Sequence, residues 1–168
     1  MNESMVYADN FSKTFAGEGD FLNFLKNREE ETTWKKEESS SLRFEAISSD
    51  TQRAQELASE FKARGKEDVI SDTLDGTQLI LKADGECIPV RNCAIKTIFE
   101  RARISGNALS KVERPVLAKI LNHCMKVADG QALLKVADDK VSAVHGGDKS
   151  DYSILEMYEL FAKTSDYL

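Results

Sequence analysis

Apolar residues recur at helical spacing in three stretches of this chain. In the first, residues 51–64, the apolar positions fall at i, i+3, i+4 and i+7, and they are Ala54, Leu57, Ala58 and Phe61. This spacing places the four side chains on one face of an amphipathic helix, with charged residues on the opposite face. The pattern therefore predicts a helix that packs one face against a core.

Two further helices are predicted downstream by the same spacing. One follows Asn92 and reaches about residue 103. Its apolar face consists of Ile95, Ile98, Phe99 and Ala102. The other begins near Pro115, a residue that the first turn of a helix tolerates, and ends near residue 127. Its residues predicted to face inward are Val116, Ile120, Cys124 and Val127. A last stretch, residues 154–163, predicts a closing helix.

Short apolar runs between turn residues predict two β-hairpins. The pairs Asp75-Gly76 and Asp84-Gly85 flank a run rich in Leu and Ile, as expected of a strand with tight turns at its ends. The pair Asp138-Asp139 separates two more such runs. The predicted strands are residues 77–82 with 87–90, and residues 133–137 with 140–145. Together these elements predict an α+β fold, in which antiparallel hairpins or a small sheet are packed by three to four helices.

The start of the chain predicts an arm outside this domain. A short helix is expected after Asp20. Residues 28–41 are then charged and serine-rich, and Trp34 is their one large apolar side chain. Such a segment buries too little apolar surface to offset the entropy cost of ordering it. We therefore predict a flexible N-terminal arm over residues 1–45 and an α+β domain over residues 46–168.

Charge is segregated along the sequence. The net charge is −6, but residues 1–60 carry 7 basic and 13 acidic side chains, residues 61–128 carry 12 and 8, and residues 129–168 carry 4 and 8. The acidic total argues against non-specific binding of polyanions, whereas the middle block allows a local basic surface. No apolar run approaches the roughly 20 residues of a membrane span, so we predict a cytoplasmic protein with no membrane partner.

The basic residues are densest in the second and third helices. Residues 91–128 contain 8 basic and 2 acidic side chains, and two helices followed by a hairpin is an order shared by winged helix-turn-helix modules. Phosphate contacts require such a cluster, although lysines on exposed helix faces are also common without any partner. The predicted nucleic-acid-binding residues are Arg91, Lys96, Arg101, Arg103, Lys111, Arg114 and Lys119.

Three polar residues near the end of the chain are candidates for catalysis. In a Ser/His/Asp set, Ser150 would be the nucleophile, His145 the base and Asp148 the group that orients the base. The chain contains no GxSxG segment, however, and a polar loop after a strand explains the same residues more simply. We therefore predict a protein without enzymatic activity, and keep a hydrolase-like enzyme centred on these three residues as the alternative.

Histidine and cysteine spacing predicts no metal site and no cofactor. His123 lies inside the third helix, where Lys119 and Val127 occupy the positions four residues away that a helical metal site would use. The three cysteines are an odd number without CxxC spacing, which predicts reduced thiols. Cys93 stands near a helix start and is the strongest candidate for a reactive thiol.

Four segments between about residues 88 and 160 occur in a distinctive order. They read IPVRNCAIKTIFERARISGNAL, ILNHC, KVSAVHGG and DYSIL. In this order they resemble a family of phage- and plasmid-associated bacterial proteins that is classified as a domain of unknown function. Its members are typically longer than this chain, so residues 46–168 would be the N-terminal part of a longer member. The family brings no established catalytic residues.

The resemblance implies an accessory protein of a phage, a plasmid or a related mobile element. In that setting we expect the protein to act by binding nucleic acid or a nucleic-acid-processing protein. An alternative in the same setting is an inhibitor of a host defence nuclease. Such an inhibitor would contact a basic partner through its acidic residues, for example Glu29-Glu30-Glu31 and Glu37-Glu38.

Overall fold

Two antiparallel sheets of three strands each organise the fold. The structure, a computed structural model, describes residues 9–105, 107–147 and 157–165. In chain order the elements are α1 (Glu18–Glu30), β1 (Thr32–Glu38), β2 (Arg43–Ala46), α2 (Gln52–Ala63), α3 (Glu67–Asp75), β3 (Leu79–Ala83), β4 (Glu86–Pro89), α4 (Ala94–Ala102), α5 (Arg114–Val127), β5 (Gln131–Ala137), β6 (Lys140–Gly147) and α6 (Met157–Ser165). Single 3₁₀ turns occupy Ser39–Ser41 and Leu109–Lys111. The predicted α+β class is confirmed.

Sheet A has the strand order β1-β5-β6 and includes a strand that the sequence did not predict. β1 pairs with β5 along its whole length, from Thr32 opposite Ala137 to Glu38 opposite Gln131. The prediction of residues 28–41 as a flexible linker is therefore wrong, and the boundary at residue 45 falls inside the folded unit. An edge strand needs few apolar side chains, because its backbone groups are satisfied by the neighbouring strand.

Sheet B has the order β2-β3-β4, and α5 closes its outer edge. The side-chain amide of Asn122 accepts the backbone N–H of Phe44 at 2.5 Å and donates to the C=O of the same residue at 2.8 Å. These bonds replace the strand that β2 lacks on that side. A bridge between Val90 and Val141 joins the two sheets.

The main core lies between the sheets and the helices α4 and α5. Its largest fully buried members are Leu42, Leu79, Leu81, Ile98, Leu117 and Leu121. A smaller cluster packs α2 and α3 against β3, and consists of Ile47, Ala54, Leu57, Phe61, Val69, Ile70 and Ile80. In α2 the prediction holds for three of its four apolar positions, since Ala58 is exposed.

Helix α5 is rotated relative to its predicted orientation. Val116 and Val127, which were predicted to face inward, are 45% and 69% exposed. The buried residues are Leu117, Ala118, Leu121 and Met125. The helix carries two overlapping apolar faces, and periodicity alone does not tell which one the sheets cover. In α4 the predicted face is confirmed, with Ile98 and Ala102 buried and Ile95 and Phe99 packed against the core.

The first and last helices pack together through aromatic rings. Phe21 of α1 meets Phe161 of α6 with ring centroids 5.2 Å apart, and Phe15 contacts both Phe21 and Phe24. The predicted closing helix is present as α6. Within the described residues, none of the helices combines the length and apolarity needed to cross a bilayer.

Candidate functional site

The basic residues of α2, α3 and β3 are neutralised within the fold. Each Lys and Arg between residues 52 and 90 lies within ion-pairing distance of a carboxylate. The pairs are Arg53 with Glu45 and Glu56, Lys62 with Glu67, Arg64 with Glu60 and Asp139, Lys66 with Asp138 and Asp139, and Lys82 with Glu45. This side of the molecule therefore presents little uncompensated positive charge.

The helices α4 and α5 and the segment between them show the opposite arrangement. Six of their basic side chains have no carboxylate within ion-pairing distance among the described residues. We call them the unpaired cations: Lys96, Arg103, Lys111, Arg114, Lys119 and Lys126. Arg114 is half-buried and the other five are exposed. Five of the six belong to the predicted nucleic-acid-binding set, and Lys126 is an addition.

Two members of that predicted set are engaged inside the protein. Arg101 is only 9% exposed, and its Nη2 donates to Ser39 Oγ at 2.5 Å and to the C=O of Asp129 at 2.6 Å. The side chain of Arg91 is 11% exposed, and its Nε lies 3.5 Å from Asp9 Oδ1, an ion pair without hydrogen-bonding geometry. The prediction of a phosphate contact is therefore wrong for Arg101, and Arg91 is committed to Asp9.

One stripe of α5 concentrates exposed charge. Lys119, His123 and Lys126 are spaced at i, i+4 and i+7, so they lie above one another on the same face. Val116 and Val127 stand at the two ends of this stripe, which is about 16 Å long at 1.5 Å per residue. The stripe faces away from the core, because Leu117, Leu121 and Met125 occupy the opposite side.

A pocket of about 490 Å³ opens on the outer face of sheet A, against α1. All three strands contribute to its floor: Trp34 comes from β1, Lys135 from β5 and His145 from β6. Trp34 and Lys135 are direct cross-strand partners. The walls are formed by Leu25, Arg28, Glu29, Arg91, Cys93 and Met157.

The floor of this pocket combines two rings with a cation. The rings of Trp34 and His145 are nearly parallel, with centroids 6.3 Å apart and an angle of 24°. Lys135 Nζ lies 5.5 Å from the centroid of the Trp34 ring, within the range of a cation–π interaction. Burial lowers the pKa of His145, and Lys135 lowers it further, while the charge of Glu100 acts in the opposite direction. These surroundings therefore favour the neutral imidazole.

The sequence did not indicate this pocket, because its three floor residues are distant in the chain. The signals were present separately. Trp34 is the one large apolar residue in a polar run, and Lys135 interrupts an otherwise apolar strand. Only the pairing of β1 with β5, which was not predicted, brings them together.

The candidate catalytic set is not assembled by the described residues. His145 lies in β6 with its ring beside Trp34, whereas Asp148 and Ser150 lie outside the described residues. The Ser/His/Asp arrangement therefore stays a prediction. His123 lies on the exposed face of α5, and within the described ranges no group of three His, Cys, Asp or Glu side chains is placed to hold a metal ion.

Cys93 is the most accessible of the three thiols. It is exposed, whereas Cys87 and Cys124 are half-buried, and all three are free. Its Sγ donates a long hydrogen bond of 3.5 Å to the C=O of Ser142, at the wall of the pocket. The structure therefore places the predicted reactive thiol beside the pocket.

The acidic residues considered for a basic partner lie at the end of α1 and in β1. Two of them make hydrogen bonds within the protein. Glu29 accepts the backbone N–H of Tyr158 at 2.6 Å, and Glu38 accepts from the side chain of Gln131 at 3.4 Å. The inhibitor alternative stays a prediction.

Comparison of the chain with protein-family models, with curated protein sequences and with solved structures gives no match. The resemblance to the phage and plasmid family therefore stays a prediction.

Proposed function

We propose that this protein is a non-enzymatic nucleic-acid-binding accessory protein that contacts phosphates through α4, α5 and the segment between them. One observation carries the proposal, namely that six cations of α4, α5 and the segment between them are unpaired, whereas each Lys and Arg between residues 52 and 90 is paired with a carboxylate. The resemblance adds the setting, a phage, a plasmid or a related mobile element.

An unpaired surface cation is suited to a phosphate because it gives up no partner on binding. A lysine already paired with a carboxylate must lose that interaction, and the carboxylate then repels the phosphate. A cation with no such neighbour displaces a counterion from the nucleic acid and contributes its full share of the salt dependence. The local charge of α4 and α5 thus outweighs the acidic total of the chain at short range, because charges beyond about 8–10 Å are screened in physiological salt.

A nucleic-acid-processing protein with an acidic surface is the second candidate partner. It is favoured by Val116 and Val127, which are exposed at the ends of the α5 stripe. Phosphates gain nothing from valine side chains, whereas protein interfaces combine a few apolar contacts with a polar rim.

The proposal is tested by fluorescence anisotropy with duplex DNA, single-stranded DNA and RNA over a range of salt. The test variant is Lys119→Gln with Lys126→Gln, on the α5 stripe. The matched control, Lys26→Gln with Lys62→Gln, removes the same charge from exposed positions on α1 and α2. For duplex DNA we expect the test variant to reduce the slope of log K against log salt by about 0.9 for each phosphate that the protein no longer neutralises.

Equal effects of the test and control variants would show that net charge, and not the α5 stripe, governs binding. Absence of binding to any nucleic acid at about 50 mM salt would remove the proposal and leave the acidic-surfaced protein as the leading partner, since phosphate contacts are strongest at low salt.

A further inference from the structure

The pocket on sheet A has features of a binding site that the proposed phosphate surface does not use. Its floor is built by three strands, so its side chains are held on a rigid scaffold. Trp34, the only tryptophan of the chain, is half-buried in this pocket. An indole in a concave site offers an apolar surface and an N–H donor to a ligand.

The volume and lining restrict the class of ligand. About 490 Å³ lies within the range of small-molecule and cofactor sites. The cations Arg28 and Lys135 outnumber the carboxylate of Glu29 in the lining, so the pocket has a positive character suited to an anionic group. Arg91 also lines the pocket, but it is paired with Asp9. The charged lining disfavours an acyl chain, and the rings favour a planar group.

We propose that this pocket binds a nucleotide, with its base against the rings of Trp34 and His145 and its phosphate on the neighbouring cations. Aromatic side chains stack bases of any sequence, because every base has a π-face. Lys135 Nζ lies over the Trp34 ring, so a base stacked on that face would displace the ammonium, whose flexible side chain can then meet the attached phosphate. The same chemistry is presented by a free mononucleotide and by one unpaired nucleotide of a strand.

The single tryptophan makes the test direct. Titration with adenosine 5′-monophosphate, and separately with a short single-stranded oligonucleotide, is followed by the emission of Trp34. We expect saturable quenching, since a base stacked on the indole changes its environment. Quenching by the mononucleotide identifies a free nucleotide as a ligand, and quenching by the oligonucleotide alone identifies an unpaired nucleotide of a strand. Adenosine and inorganic phosphate separate the contributions of base and phosphate.

Variants connect the quenching to the pocket. His145→Ala should weaken binding by about 5- to 150-fold, the range that loss of one stacking partner produces. Lys135→Gln should weaken the binding of the mononucleotide more than the binding of adenosine. The controls are His123→Ala, which removes the other histidine, and Lys36→Gln, an exposed lysine of β1 that does not line the pocket.

Alkylation of Cys93 provides a second measurement that does not depend on fluorescence. This thiol lines the pocket, so a bound nucleotide should slow its reaction with iodoacetamide, as followed by mass spectrometry of the intact protein. The half-buried Cys87, which lies outside this pocket, serves as the internal control. Protection of both cysteines to the same degree would indicate general stabilisation and not occupancy of the pocket.

The result that would overturn the inference is the absence of quenching and of Cys93 protection with either ligand, or quenching that His145→Ala and Lys135→Gln leave unchanged. The outcome is independent of the α5 surface. The Lys119→Gln/Lys126→Gln variant should retain quenching by the mononucleotide, and the pocket variants should retain salt-sensitive binding to duplex DNA.

Discussion

The fold pairs the basic residues around α2 and α3 with carboxylates. It leaves six basic residues of α4, α5 and the segment between them without such a partner among the described residues. On the α2–α3 side, Lys66 contacts both Asp138 and Asp139 at the turn between β5 and β6, and Lys140 meets Asp72 at 2.7 Å while being only 1% exposed. On the α4–α5 side, Lys96, Lys119 and their neighbours have no carboxylate partner among the described residues.

This difference separates charges that hold the fold together from charges that have no partner within the described part of the protein. The α2–α3 network connects α3 to the distant β5–β6 hairpin, which is a structural task. The unpaired cations connect nothing within the described part of the protein, and like charges close together on one surface repel one another. A set of this kind is explained by an anionic partner better than by stability.

The largest expected effect comes from the buried pair of the α2–α3 network. Asp72→Asn leaves the ammonium of Lys140 buried without a counter-charge, and removing one partner of a buried pair costs about 3 kcal/mol. Lys140→Met should cost less, because Asp72 is 26% exposed and keeps access to water. Urea denaturation measures both changes. Glu67→Gln, which breaks an exposed pair on the same helix, is the control and should change stability by less than about 1 kcal/mol.

If Asp72→Asn lowered the free energy of unfolding by less than Lys140→Met does, this pair would not support the comparison. It would mean that the packing of the lysine stem, and not the charge pair, connects α3 to the hairpin.

The second effect tests whether Arg101 belongs with the structural charges. Although it lies in α4, its guanidinium is buried and bonded to Ser39 and to the C=O of Asp129. Arg101→Met should lower the free energy of unfolding by about 2 kcal/mol, since it removes hydrogen bonds from a charged donor and leaves their acceptors buried. Arg103→Met, two residues along and exposed, is the matched control and should leave stability nearly unchanged. Thermal unfolding followed by circular dichroism distinguishes the two variants.

If Arg101→Met and Arg103→Met changed stability equally little, Arg101 would again be a candidate for contact with a partner. If Arg101 is a structural residue, Arg101→Met should bind DNA with the same salt dependence as the unmodified protein.

The parts of the fold that the sequence predicted are those set by local patterns. The helices α2 and α4 and both hairpins follow from periodicity and turn residues close together in the chain. β1 was missed because an edge strand is stabilised by backbone pairing with β5, which leaves no apolar pattern in TTWKKEE. The face of α5 was misjudged because Val116 and Leu117 both lie on apolar faces, and the choice depends on what the sheets cover.

The candidate sites divide in the same way. The basic character of α4 and α5 was visible in composition, but the removal of Arg101 from the surface follows from contacts with Ser39 and Asp129, far away in sequence. The pocket was not predictable at all, because Trp34, Lys135 and His145 meet only when three strands are aligned.

The third prediction concerns Arg103, a single exposed residue among the unpaired cations. Arg103 ends α4 in the left-handed conformation, with φ 55° and ψ 39°, which favours glycine. Arg103→Gly should raise the free energy of unfolding by about 0.5–1 kcal/mol, because it relieves the strain of a Cβ in that region. The same substitution removes one unpaired cation, so the proposed phosphate surface predicts weaker binding to DNA. Denaturation and anisotropy are measured on the same sample.

A gain in stability together with weaker binding would show that Arg103 is retained for its charge at a structural cost. Unchanged binding would remove this residue from the phosphate surface. Arg103→Asn, which also tolerates the left-handed region, controls for the flexibility that glycine introduces.

The smallest expected effect concerns Asp138 of the α2–α3 network, and it distinguishes the contribution of ion pairing to stability from that of burial. Asp138 lies 3.2 Å from Lys66, yet burial raises the pKa of its carboxyl above the usual value, so burial outweighs the pairing. The charged form is therefore disfavoured in the folded protein. This penalty is present above the folded pKa and disappears as the pH falls through it. Asp138→Asn keeps a residue that tolerates the positive φ of 50° at this turn, and it leaves Lys66 its partner Asp139.

We therefore expect Asp138→Asn to raise stability at pH 7 by less than about 1 kcal/mol, and the gain to vanish as the pH falls toward 4. Urea denaturation at several pH values measures the difference from the unmodified chain. Asp139→Asn is the control, and should lower stability at pH 7, because hydrogen bonding to Asp139 is the main cause of the raised pKa of Lys66. That pairing favours the charged lysine in the folded protein, so its contribution is fully present at pH 7 and is lost only as the pH rises through the raised lysine pKa. Destabilisation by Asp138→Asn at pH 7 would show that both carboxylates act by pairing, and the network would then be held by charge throughout.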